Sequence, residues 1–243
     1  MSVVIPIYNE QRRIEPLIER LSLSLGNIGI ACELLFVDDN STDGSYELAT
    51  LEKNQFQGEF SIQVHRKVGK KGKGFSLEEG FAHAKHDLIC FIDGNGQYPA
   101  EAIPGMLQQL RYPQVGMVVA DRIGSQRKLR RQIPSLIFRS VFGHFLHRLD
   151  CDIQSGLKLF RKEIISGVTL HPTKWAIDLE LLLVTRSKGY QIRSHPIEFQ
   201  ERRIGKSNVQ VFPTSVELAK NALSLWFRFL IKERKIVAKL ARA

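Results

Sequence analysis

HDLICFIDGNGQYP, residues 86–99, is the stretch on which the reading of this chain turns. Leu88 to Ile92 is an unbroken apolar run, short and flanked by polar residues, as in a strand buried on both faces of a sheet. It ends on Asp93-Gly94-Asn95-Gly96-Gln97, where oxygen-bearing side chains alternate with glycine. Side chains two apart on extended backbone point the same way, so Asp93, Asn95 and Gln97 are candidates to converge on one hard cation. Ligands of open α/β sheets gather outside the carboxyl ends of the strands, where this turn would lie. Taken alone, the same turn serves equally well as a polar strand-to-helix loop.

Upstream, Ser2 to Ile7 reads as a first strand, with Pro6 expected at a loop rim rather than in a central ladder. Tyr8-Asn9-Glu10 leads into an amphipathic helix over about 13–25, with Ile14, Leu17, Ile18, Leu21 and Leu25 on one stripe. Cys32 to Val37 is a second buried strand, ending on Asp38-Asp39-Asn40-Ser41-Thr42-Asp43-Gly44. Ser41 or Thr42 is expected to cap the next helix, with Asp43 and Glu47 at its favourable end. Phe60 to His65 is a third strand, and Lys70 to Gly74 opens a basic, glycine-loosened helix start that runs to about Ala84. Downstream come a helix from Ala100 behind Pro99 and a strand from Val115 to Ala120. This alternation implies right-handed crossovers and a mainly parallel sheet.

Beyond Arg122 the chain changes character. A basic run (122–131) is followed by an apolar-aromatic helix (133–149), a strand (156–160), a helix (175–187) and a strand (191–199). No repeat or low-complexity linker intervenes, so these are lobes of one domain. From about 214 to 239 a helical tail carries Val216, Ala219, Leu223, Trp226, Phe227 and Leu230 on one face, with cations beside them.

A chain of 243 residues suffices for one large α/β domain with a substantial core. Its net charge of +10 and pI of about 9.6 call for an anionic partner: a phosphate-rich substrate, an acidic membrane surface or nucleic acid. Nucleic acid is the outsider, because aromatic residues are not interleaved with the basic runs. Cys32 and Cys90 lie in apolar runs and Cys151 stands far from both, which suits buried thiols in a reducing compartment better than disulfides. The spacing of His144, His147, Cys151 and His171 fits no tight zinc motif. Met1 runs straight into Val3-Val4-Ile5, so no signal peptide is expected. No apolar run reaches the roughly eighteen residues of a spanning helix.

In this order the pieces resemble the family 2 inverting glycosyltransferases of the glycosyltransferase-A fold, in the branch that uses dolichyl or polyprenyl phosphate as acceptor. The stretches that carry the resemblance run from residue 2 to 208. They are Val4 to Glu10, Val37 to Gly44, Lys73-Gly74, Asp93 to Pro99, Val118 to Arg122, Asp152 to Lys158, Asp178 to Leu182, and Pro196 to Phe199 with Arg202, Gly205 and Ser207. The implied fold is a Rossmann-like, mainly parallel sheet flanked by helices, with a C-terminal amphipathic helix. Residues 1–212 would form the catalytic domain, 1–121 its nucleotide-sugar half and 122–212 its acceptor half, and 213–243 a membrane-surface tail.

The resemblance also implies roles. Pro6, Tyr8, Glu10, Asp38 and Asp39 would hold the nucleoside, Lys73 would meet the diphosphate, and Asp93 and Gly94 would also bind the nucleotide sugar. Asp93, Asn95 and Gln97 would hold Mg²⁺ or Mn²⁺. The family usually has a second Asp where this chain has Asn95, one negative charge fewer, which should weaken metal binding. Because a lipid phosphate oxygen is already anionic, no strong base is obligatory; the need is for arginines that bring two anions together. Asp93, Arg122, Arg139 and Arg202 are therefore the catalytic candidates. Arg122, Arg139, Gln154, Ser155, Lys158, Glu180 and Ser207 would line the acceptor side, and Asp178 and Glu180 are the alternative bases if the acceptor is a neutral hydroxyl. The expected partners are a nucleotide-diphosphate sugar, a polyprenyl phosphate and an anionic membrane surface, with peripheral attachment at the cytoplasmic face. The competing readings are a transferase to a glycan or protein hydroxyl, and a weakened relative that only binds the nucleotide sugar.

Overall fold

Strands form where the apolar runs predict them: β1 (Ser2–Ile7), β2 (Glu33–Asp38), β3 (Ser61–Arg66), β4 (Leu88–Ile92), β5 (Val115–Ile123), β6 (Leu157–Arg161) and β7 (Gln191–Glu198). Between them lie α1 (Ile14–Leu25), α2 (Ser45–Gln55), α3 (Lys73–His83), α4 (Ile103–Gln109) and α5 (Ile177–Ser187). The computed structural model describes residues 1–123, 151–171 and 177–199. The expected helix at 133–149, the tail, and the candidates Arg139, Arg202 and Ser207 lie outside the described residues.

The strands form one sheet in the order β3-β2-β1-β4-β6-β5-β7. Every pairing is parallel except the two made by β6, which runs antiparallel to both β4 and β5. Alternate residues of the central strands face opposite layers. Val3, Ile5 and Ile7 join Leu34 and Phe36 under α1 and α4, whereas Val4 joins Leu35, Val37, Phe81 and Phe91 under α3 and α5. The stripe on α1 is buried as its spacing predicts, at Ile14, Leu17, Ile18, Leu21 and Leu25. Burial on both faces explains why β1, β2 and β4 read as continuous apolar runs. Among the described residues, no helix is long and apolar enough to cross a membrane.

Two local expectations need correction. Pro6 is not at the rim: it lies within a central strand, in register with Val37. It is tolerated because the paired register with β4 runs only from Ser2 to Val4, so the missing N–H interrupts no ladder bond there, and the Pro6 carbonyl still accepts from the Gly94 N–H at 3.3 Å. Nor does Ser41 or Thr42 cap α2. The N-cap is Gly44 at φ 87°, and Asp43 Oδ1 accepts from the Ser45 N–H at 3.0 Å. Asp43 thus performs the capping that an adjacent hydroxyl was expected to perform.

The single antiparallel strand has a consequence for the site. The exits of β1, β2, β3, β4, β5 and β7 share one edge of the sheet. Because β6 runs the other way, its entrance, the loop 151–156, comes to that same edge. Ile92, the last residue of β4, is in register with Leu157, the first of β6.

Candidate active site

The loops after β1, β2 and β3 are stitched together at one end of this edge. Asn9 and Asn40 each follow a strand in the left-handed conformation, at φ 54° and 59°, which asparagine accepts more readily than most residues. Asn9 donates its N–H to Ser41 Oγ at 3.0 Å and accepts from the Thr42 N–H at 2.8 Å. Asn40 reaches the Lys67 carbonyl at 3.0 Å, and the Glu10 N–H donates to Ser45 Oγ at 2.9 Å. Within this frame Asp38 accepts from the Ser41 N–H at 3.2 Å and from Arg66 Nε at 3.3 Å. Asp39 accepts from the Gly72 N–H at 2.7 Å and pairs with the buried Lys67 ammonium at 2.6 Å. Tyr8 is exposed beside it, with Lys71 Nζ 5.9 Å from its ring centre.

The second cluster is at the exit of β4. Among the described residues no main-chain N–H frames the Asp93 carboxylate; it faces an ammonium. Lys73, the first residue of α3, places Nζ 2.8 Å from Asp93 Oδ1 and 3.5 Å from Asp178 Oδ2. Asp178, on the first turn of α5, also pairs through Oδ1 with Lys158 Nζ at 2.6 Å. The four residues form a chain of alternating charge, Asp93–Lys73–Asp178–Lys158. Burial works against the charge on Lys73, but Asp178 and Asp93 outweigh it and hold its pKa above the ordinary lysine value. For Lys158 burial prevails, assisted by Lys73, and its pKa falls despite Asp178.

Two glycines let this cluster form. A Cβ on Gly156 would lie 2.1 Å from Asp93 Oδ2 and 2.7 Å from the ring of Tyr98, so only glycine allows the entrance of β6 to approach Asp93. The contact is fixed by the Asp93 N–H, which donates to the Gly156 carbonyl at 2.9 Å. Gly94 is similarly confined: a Cβ there would sit 2.7 Å from Ile7 and 2.8 Å from the Pro6 carbonyl. Beside them Arg122 clasps Asp152, with Nη2 2.9 Å from Oδ1 and Nε on Oδ2, while its guanidinium lies 5.3 Å from the Phe199 ring centre. Tyr98 is buried among Arg122, Asp152 and Asp93. Burial raises its pKa to about 12, with Arg122 opposing and the two carboxylates adding to the rise.

The expected residues thus separate into groups. Tyr8, Glu10, Asp38, Asp39, Lys73, Asp93 and Gly94 all stand at the one edge. The premise for Asp93, Asn95 and Gln97 does not hold as stated: the backbone turns at residues 94–96, with Gly96 at φ 69°. The Asn95 side-chain oxygen accepts from the Gln97 N–H at 3.0 Å, so alternation along an extended chain does not describe this segment. Ser155 and Lys158 do not line an acceptor surface, because both are fully buried. The Ser155 hydroxyl donates to the Leu157 carbonyl at 3.1 Å. Lys158 donates to the carbonyls of Ile153 and Ser155 at 3.1 and 2.6 Å besides pairing with Asp178. Glu180 is buried too and accepts from the His171 N–H at 2.9 Å. Gln154 alone of the 154–158 candidates is partly exposed. Sequence reasoning assigned no role to Lys67, Tyr98, Asp152 or Gly156. The last three lie in motifs it quoted, but nothing in a linear pattern shows which carboxylate meets which cation.

The sequence profile of glycosyl transferase family 2 matches residues 2–168. The chain belongs to glycosyl transferase family 2. Among curated relatives, the dolichol-phosphate mannosyltransferase of Pyrococcus furiosus is 28% identical over 220 residues, covering 86% of this chain and 59% of that protein. The dolichyl-phosphate β-glucosyltransferase of Dictyostelium discoideum is 25% identical, covering 97% of this chain and 76% of the relative. An undecaprenyl-phosphate 4-deoxy-4-formamido-L-arabinose transferase of Salmonella paratyphi B is 32% identical, covering 68% and 50%. The chain thus spans half to three quarters of the length of these relatives. Glucosyl-3-phosphoglycerate synthase from Mycobacterium tuberculosis, solved with Mn²⁺, UDP-glucose and phosphoglyceric acid, matches at a TM-score of 0.73. That likeness covers 93% of this chain and 79% of the other at 19% identity, and establishes the glycosyltransferase-A fold for this chain.

Proposed function

We propose that this family 2 enzyme transfers a sugar from a nucleotide-diphosphate sugar to a polyprenyl phosphate of the dolichyl type, with inversion at the anomeric carbon. One observation carries the choice of acceptor: the carboxylates around Asp93 are already engaged by cations. Asp178 is held between Lys73 and Lys158, and Asp152 is clasped by Arg122. Carboxylates balanced in this way are poor bases for a neutral hydroxyl, whereas a phosphate monoester brings an oxygen that needs no deprotonation. The names of the three relatives, which specify dolichyl or undecaprenyl phosphate, support the same choice.

In this reading Asp38, Asp39, Tyr8 and Glu10 frame the nucleoside. The diphosphate lies at the start of α3, where Lys73 and the positive end of the helix meet it. The residues fit a divalent cation at Asp93: the Lys73 ammonium at 2.8 Å marks where positive charge is held, and glycine at 156 keeps the carboxylate in place. Asp93 would hold Mg²⁺ or Mn²⁺, which when bound would neutralise the diphosphate as leaving group. The acceptor oxygen attacks the anomeric carbon from the face opposite the nucleotide; the bond to the diphosphate breaks and the nucleoside diphosphate departs with that electron pair. Arg139, Arg202 and Ser207 are proposed to reach the acceptor phosphate, and the tail to attach the enzyme peripherally to an anionic membrane face.

The test is a screen of radiolabelled nucleotide sugars with vesicles containing polyprenyl phosphate. Label in organic-extractable lipid, dependent on that phosphate, is expected from one donor. Donor consumption with label only in protein or soluble glycan would refute the lipid acceptor.

A further inference from the structure

The alternating chain of charge contains two lysines that differ in freedom. All three ammonium hydrogens of Lys158 have acceptors, at Ile153, Ser155 and Asp178, and its side chain is fully buried. It is fixed. Lys73 has two carboxylates before it and only one close contact, 2.8 Å to Asp93 against 3.5 Å to Asp178. The longer contact is half made. A small swing of the flexible lysine stem closes it on Asp178 Oδ2, while Asp178 Oδ1 stays with Lys158.

A divalent cation on Asp93 Oδ1 competes with the ammonium held there, since two positive centres repel strongly at contact distance. An ammonium this deeply placed is costly to leave without a partner. We propose that Lys73 is a movable countercharge shared by Asp93 and Asp178, and that Asp178 is the positioning residue that receives it when a divalent cation takes Asp93. The inference rests on the metal reading above and goes beyond it, because it assigns to Asp178 neither the role of a base nor that of a metal ligand. Held on Asp178, the ammonium stays at the start of α3, where an arriving diphosphate meets it. Loading of the cation and readiness for the donor are thereby linked through one side chain.

The experiment is a Mn²⁺ titration of the full chain without nucleotide, read by the electron paramagnetic resonance signal of the free ion, with folding followed by circular dichroism. Lys73→Met removes the competitor and should tighten Mn²⁺ about tenfold. Asp178→Asn alone would strand Lys158, so Asp178 is removed together with its buried partner, as Asp178→Asn/Lys158→Met. This pair should weaken Mn²⁺ about tenfold when Lys73 is present and leave it nearly unchanged in the Lys73→Met background. Equal weakening in both backgrounds would make Asp178 a plain distant charge and overturn the proposal. Mn²⁺ binding that is lost in Asp93→Ala but indifferent to Lys73→Met would overturn the sharing and leave the metal reading standing. Mn²⁺ binding indifferent to Asp93→Ala would overturn both.

Discussion

The two ends of the site hold their carboxylates differently. At the proposed nucleoside end, Asp38 and Asp39 each combine a main-chain N–H, from Ser41 and Gly72, with a side-chain cation, Arg66 and Lys67, within loops that asparagines tie to one another. At the proposed transfer end, the Asp93 and Asp178 carboxylates meet side-chain ammoniums, with no main-chain N–H on them among the described residues. A main-chain hydrogen bond fixes a carboxylate in one place, whereas an ammonium on a long stem can be exchanged for another cation. The first arrangement suits recognition of a part of the donor that does not react. The second suits the proposed transfer centre, where charge would be redistributed as a diphosphate arrives and leaves. The contrast teaches that a carboxylate's partners, more than its depth, separate scaffold from chemistry: Asp38 is fully buried and Asp178 nearly so.

The comparison can be broken most directly at Asp93. Asp93→Ala should lower sugar transfer by about a thousandfold with little change in melting temperature, because Asp178 remains to hold Lys73. A variant that keeps full transfer in the presence of a chelator would remove Asp93 from the chemistry. Gly156→Ala should follow, with a loss of about a hundredfold, since its Cβ would collide with the reactive carboxylate and displace it. Its affinity for the free nucleoside, which lacks the diphosphate, should stay near that of the wild type, and a fall in that affinity of the same size would show that the two ends are not separable.

At the other end a smaller and differently shaped effect is expected. Asp39→Asn should raise the donor KM by about tenfold with kcat little changed, because one charge-assisted bond to the 67–72 loop is lost. A loss confined to kcat would move Asp39 to the transfer end. The smallest effect belongs to Asn95→Asp, which should tighten Mn²⁺ by about threefold through added negative charge in the turn. The gain is limited because the Asn95 oxygen already turns back to the Gln97 N–H. Unchanged or weaker Mn²⁺ binding would show that this position faces away from the cation.

Legibility of the molecule from sequence followed the same division. Strands buried on both faces and the α1 stripe were plain, because burial writes itself into consecutive or 3.6-spaced apolar residues. The position of Asp93 at a strand exit was equally plain. The direction of β6 was not: a short apolar strand carries no mark of parallel or antiparallel pairing. The resemblance places Lys158 and Ser155 on the acceptor side, and only the fold shows that both are buried with partners of their own. Arg122 was expected at the lipid phosphate, yet two of its nitrogens rest on Asp152, a residue 30 positions away. Ion pairs between distant segments are decided by how the elements close around the site, which periodicity does not record.

The central claim is that the acceptor is a lipid phosphate, on a fold also found in an enzyme solved with phosphoglyceric acid. It is tested most directly by competition. The full chain is given its radiolabelled donor and Mn²⁺, with polyprenyl phosphate in vesicles and phosphoglyceric acid in solution at equal concentration. The account predicts label in the lipid phase, absent from Asp93→Ala, and little in the soluble product. Label in the soluble product, with none in the lipid, would contradict it.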